Sequence, residues 1–71
     1  MTSIVYVDGD DWVGLYVDGS LKHEGHSIAA EKLLQIGVEN PGATVERKYA
    51  DIDWLMDLGN FPLTLDEVKF V

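Results

Sequence analysis

The sequence predicts a small α+β domain: a mostly antiparallel sheet of three to four strands packed with two helices, in the approximate order β-β-β-α-β-α. Three observations predict it. Asp18-Gly19 separates two strand-like runs, and that dipeptide suits a hairpin turn needing positive φ at both central positions. Ala29, Leu33 and Ile36 then recur at helical spacing. Ile52, Leu55 and Met56 repeat that spacing after a further strand-like run. With 71 residues, the chain is read as one domain spanning 1–71, with no room for separate cofactor and substrate domains.

The first strand is expected over Ser3–Val7, where Ile4, Val5, Tyr6 and Val7 form a continuous apolar run. Asp8-Gly9-Asp10-Asp11 supplies a turn, because Asp side chains accept nearby backbone hydrogen bonds and Gly9 tolerates positive φ. The second strand is Trp12–Val17, and the third is Ser20–Glu24. Alternation puts Trp12, Gly14 and Tyr16 on one face, with Val13, Leu15 and Val17 on the other. A two-residue loop pairs Val17 with Ser20, Tyr16 with Leu21 and Gly14 with His23. Both faces of the second strand are apolar. One must meet a helix, and the aliphatic face is preferred; the other forms a second small core or a partner surface.

Ser27 is expected to cap a helix over Ile28–Ile36, with Gly37 ending it. Its apolar stripe is Ala29, Leu33 and Ile36, joined by Ala30 and Leu34. After the Asn40-Pro41-Gly42 turn, Ala43–Tyr49 reads as a strand whose Val45 and Tyr49 touch the core and whose Arg47 reaches its edge. Asp51 should cap a second helix over Ile52–Leu58, ended by Gly59. Pro62 biases Phe61 toward extended geometry. Thr64 and Glu67 match a capping box, which favours a turn followed by a short C-terminal strand.

Thirteen acidic residues face five basic ones, a formal charge of −8. Direct contact with a phosphate backbone is disfavoured, since that work needs positive charge. A basic protein surface is an allowed partner, and simple solubility accounts for the same charge. There is no cysteine, hence no disulfide, thiol nucleophile or thiolate-held metal. No apolar run approaches a membrane span, and the first residues do not read as a signal peptide.

No catalytic, cofactor or metal site is expected. Asp8, Asp10 and Asp11 make the densest acidic stretch, but counting a calcium loop from Asp8 puts Trp12 at its fifth position and Val13 at its sixth, where a glycine is needed. His23 and His26 are two ligands, short of a closed zinc site. His26 suits the strand–helix junction, where its imidazole can hold the turn through a backbone hydrogen bond. Ser27 serves better as a cap than as a nucleophile. No phosphate-binding loop or dinucleotide fingerprint occurs.

The aromatic residues offer more. Trp12, Tyr16, Trp54 and Phe61 are large rings for so short a chain. Most of that area belongs in a core. A two-layer domain nevertheless leaves part of one sheet face open, and Trp12 and Tyr16 there would anchor a protein interface rimmed by Asp8, Asp10, Asp11 and Asp18. Self-association would use the same feature.

The string WVGLYVDGSLKHEGHS resembles a pattern in small acidic proteins of bacteriophages and their bacterial hosts. In it an LYVDG-like hairpin, here Leu15–Gly19, leads to an EGHS-like helix start, here Glu24–Ser27. The resemblance covers mainly residues 12–36. It implies a phage accessory protein in the cytoplasm of a bacterial host and brings no reaction with it. Three expectations stand: a nonenzymatic protein-binding or inhibitory module, an acidic nucleic-acid mimic, and a homo-oligomeric accessory protein. A metal-dependent enzyme trails all three.

Overall fold

The hairpin turn forms as its dipeptide requires, with φ of 51° at Asp18 and 84° at Gly19. In the computed structural model, which describes residues 2–71, that turn joins β2 (Val13–Val17) to β3 (Ser20–Gly25). β1 (Ser3–Asp8) lies beside β2. α1 (Ala30–Glu39) then leads to β4 (Thr44–Tyr49), and α2 (Ile52–Leu58) and a single 3-10 turn (Leu65–Glu67) follow. The expected α+β class and element order hold.

The sheet order is β3-β2-β1-β4. β1–β2 and β2–β3 are antiparallel, whereas β4 joins β1 in parallel. That one parallel pair follows from connectivity, because α1 crosses a sheet face and returns the chain in the direction of β3.

Both sheet faces are covered. On one, Ile4 and Leu15 pack with Ile36 of α1, with Val17 and Ile28 at the edge. On the other, Val5, Val7 and Tyr16 pack with Ala50, Leu55, Phe61 and Val68. The aliphatic side of β2 therefore meets α1, as expected. The aromatic side meets α2 and the chain after it.

Several boundaries differ from expectation. α1 starts at Ala30 rather than Ile28, and Ser27 does not cap it; Ala29 occupies the cap position with no side-chain bond. Ile28 instead packs against the Ile4–Leu15 cluster. Gly37 stays inside the helix. The stop comes at Asn40, whose side-chain amide and backbone N–H both donate to the Ile36 carbonyl, at 2.8 and 3.1 Å. Of the expected stripe only Ile36 is buried. Val45 and Tyr49 are exposed rather than in the core, because the buried contact of α1 reaches Ile4 and Leu15 of β1 and β2.

α2 matches its expected span. Asp51 accepts the Trp54 N–H at 3.2 Å, and Gly59 ends the helix at φ 89°. Thr64 precedes the 3-10 turn without a side-chain bond. The expected C-terminal strand shrinks to a bridge between Ala50 and Phe70.

One register expectation fails. Tyr16 faces Leu21, as the two-residue loop requires, but a bulge then sets Leu15 opposite His23 and Gly14 opposite Glu24. Lys22 is the extra residue. A one-residue slip exchanges faces, so Glu24, not His23, lies on the Tyr16 side.

Candidate protein-binding cleft

The loop before β2 and the helix α2 form the walls of a cleft of about 260 Å³. Trp12, Ile52, Leu55 and Met56 supply its apolar lining, with Asp10 and Asp11 at the mouth. Met56 is 75% exposed. Both aspartates are exposed, and Trp12 is half-buried.

The loop is shaped by its own polar groups. The Asp8 carboxylate accepts the Asp10 N–H at 3.0 Å, and Asp10 takes a φ of 72°. Gly9 donates its N–H to the Trp12 carbonyl at 2.8 Å. A Cβ on Gly9 would meet Leu55 Cδ2 and lie 2.7 Å from the Trp12 carbonyl oxygen, so a larger residue would have to open the turn itself.

Trp12 is fixed from two sides. Its indole N–H donates to Glu24 at 2.9 Å, and its ring meets the His26 ring edge-on at 5.0 Å. His26 Nδ1 lies 3.1 Å from the Asp11 carbonyl oxygen, so it ties the link after β3 to the loop before β2 rather than holding its own turn. The Trp12 side chain is thus held in place by contacts within the chain.

The six residues singled out in the sequence separate into distinct environments. Trp12, Asp10 and Asp11 come together at the cleft. Asp8 is engaged by Arg47 of β4, whose guanidinium holds its carboxyl below the ordinary range, with the Asp10 N–H adding to the effect. Asp18 lies at the other end of β2 and accepts the Ser3 N–H at 2.9 Å. Tyr16, expected on an open face, is buried, and its hydroxyl donates to the Pro62 carbonyl at 2.6 Å. The segment around Phe61 closes over it, so Tyr16 offers no surface. The expected patch therefore narrows to Trp12, Asp10 and Asp11 and gains Ile52 and Met56. In the sequence those two stood out only by their helical spacing with Leu55. Their i,i+4 spacing was the signal, but one helical face serves core and surface alike.

The described residues contain no cluster of three or more metal-ligating side chains. None of their helices is long and apolar enough to cross a membrane. No protein-family model, curated protein or solved structure matches the chain.

Proposed function

We propose that this is a nonenzymatic protein-binding module, a phage-type accessory or inhibitory protein acting in the cytoplasm of a bacterial host. It takes a basic side chain of a host protein into the Trp12–Met56 cleft. The observation that carries this reading is the joining of an apolar channel to a carboxylate mouth at Asp10 and Asp11. A cleft of about 260 Å³ lies below the usual range of roughly 300–1,000 Å³ for small-molecule sites. It suits one long side chain. An Arg or Lys would lay its methylenes along Ile52 and Met56 and leave its charge beside the aspartates. The face of Trp12 adds attraction for a cation.

The test is affinity capture from a bacterial lysate with matched variants. Met56→Lys sets a like charge against the incoming cation from an exposed position, and Asp10→Asn with Asp11→Asn neutralises the mouth. Glu31→Gln with Glu39→Gln makes the same charge change on α1. A specific protein captured by the wild type and the α1 variant, but lost by both cleft variants, supports the reading. Equal capture by all four forms rejects this cleft as the contact.

A further inference from the structure

We propose that the groove between α1 and the β1–β4 side of the sheet binds an uncharged small molecule with an apolar body and one hydrogen-bond acceptor, of the class of a medium-chain ketone or ester. The proposal is independent of the Trp12 cleft, which α2 lines on the opposite face of the sheet.

Strand pairing lays out the floor. Val17, Ile4 and Val45 stand side by side across β2, β1 and β4, and the next row on that face is Leu15, Tyr6 and Arg47. α1 seats Ile36 on Ile4 and Leu15 and leaves the β4 side of the two rows open. The result is a groove of about 370 Å³. That volume lies inside the range of roughly 300–1,000 Å³ for small-molecule sites, of which the Trp12 cleft falls short. Hollows of comparable or larger size elsewhere have charged walls: Asp18 and Glu39 in one, Lys48 in a second and Asp10 in a third.

The helix supplies one wall and withholds part of it. At about 100° per residue, Leu33 lies about 60° and Gly37 about 100° from Ile36, on the same side of α1. Both line the groove. Gly37 has no positive φ that calls for glycine. Close packing does not call for it either, because a Cβ there would meet nothing within 4 Å. A glycine inside a helix weakens it relative to alanine. What the missing side chain provides is an open upper wall, with room above Val45 for something that is not part of the chain.

The lining defines the chemistry of that occupant. Ile4 and Leu15 are buried, whereas Leu33 is 38% and Val45 74% exposed, so an apolar body would take carbon surface out of water. Arg47 alone among the lining residues is charged. Its guanidinium is held 5.5 and 5.4 Å from the Tyr6 and Tyr49 ring centres, and its Nη2 is bonded to Asp8. The pair leaves the groove without net charge. A cation would meet the guanidinium. An anion would meet Asp8 beside it, on a chain of formal charge −8. An uncharged molecule escapes both costs. A guanidinium carries five N–H donors, and the Arg47 side chain is 60% exposed. Donors beyond the one given to Asp8 can therefore reach a carbonyl at this end, with the alkyl chain lying over Val45 and under Leu33 and Gly37.

Three probes of equal carbon number separate the classes: methyl hexyl ketone, octanoate and octylammonium, each titrated into the whole chain and followed by backbone amide resonances. The ketone should shift Leu33, Gly37, Val45 and Arg47 saturably at submillimolar concentration. The two ions should bind at least about tenfold more weakly, since a charge is costly to bury. Gly37→Leu, which fills the open wall, and Val45→Glu, which charges it from an exposed position, should each abolish the shifts with an unchanged circular dichroism spectrum. Arg47→Met with Asp8→Asn removes the donors while keeping the charge balanced, and should weaken the ketone severalfold. Absence of saturable shifts up to the solubility of the ketone overturns the proposal. So does equal affinity for the three probes, tighter binding of octanoate than of the ketone, or ketone binding unchanged by the wall variants or by the paired substitution.

Discussion

Trp12 and Glu24 are joined by an indole N–H···carboxylate bond of 2.9 Å, and the same Glu24 oxygen accepts the Phe61 N–H at 3.2 Å. One carboxylate oxygen thus connects the loop before β2, the end of β3 and the segment that closes over Tyr16. The bulge at Lys22 makes this possible, because it turns Glu24 to that face.

Glu24→Ala should lower stability by about 1–2 kcal/mol, the range of a charge-assisted bond at a site water can reach. Glu24→Gln keeps an acceptor oxygen and should lose less. Urea unfolding followed by tryptophan fluorescence measures both. Equal losses would show that the charge, rather than the acceptor, matters.

Gly14→Ala should destabilise by roughly 1–3 kcal/mol through overpacking. A Cβ there would lie 2.7 Å from Phe61 Cδ2. The Phe61 ring also meets the Tyr16 ring edge-on at 6.3 Å, so it has little freedom to retreat. Adding Phe61→Leu to Gly14→Ala should cost less than the two separate losses combined. Strict additivity in a double-mutant cycle would count against the clash.

Tyr16→Phe should cost about 1 kcal/mol by leaving the Pro62 carbonyl without its donor. The ring remains, so the near-ultraviolet spectrum should change little. A chemical-denaturation midpoint equal to that of the wild type would mean that the 2.6 Å bond contributes nothing net.

Opposite limbs of the pH–stability profile should report Asp8 and Tyr16. The Arg47 guanidinium holds the Asp8 carboxyl below its ordinary 3.8. Its contribution is present above about pH 4 and disappears as acid protonates the folded state. Burial, with the nearby Glu24 and Glu67 charges, pushes the Tyr16 hydroxyl above its ordinary 10. That contribution is complete below pH 10 and declines as the medium becomes more alkaline. Asp8→Asn should flatten the acid limb and Tyr16→Phe the alkaline limb, measured as denaturation midpoints across pH.

The local punctuation was legible in the sequence. Asp18-Gly19, Asp51 and Gly59 each act through their immediate backbone neighbours, so their turn, cap and stop are visible without tertiary information. The bulge at Lys22 was not, because nothing in SLKHEG distinguishes regular pairing from a one-residue slip. That slip exchanged His23 for Glu24 beneath Phe61. The Trp12 cleft was partly legible: a ring next to acids marked it, while Tyr16 seemed equivalent by alternation alone. What separated them was the return of Phe61–Pro62 across one end of the face, a contact 46 residues away in the chain. Val45 illustrates the reverse case. Its alternation suggested burial, but burial depended on where α1 crossed the sheet.

The two apolar clusters share no side chain. α1 contributes one buried residue, Ile36, to the smaller cluster. Peeling this helix away would uncover Ile4 and Leu15 while leaving Tyr16 and Phe61 enclosed on the reverse side. The protein thus has a light cover, seated by one buried side chain, and a heavy one built from several elements.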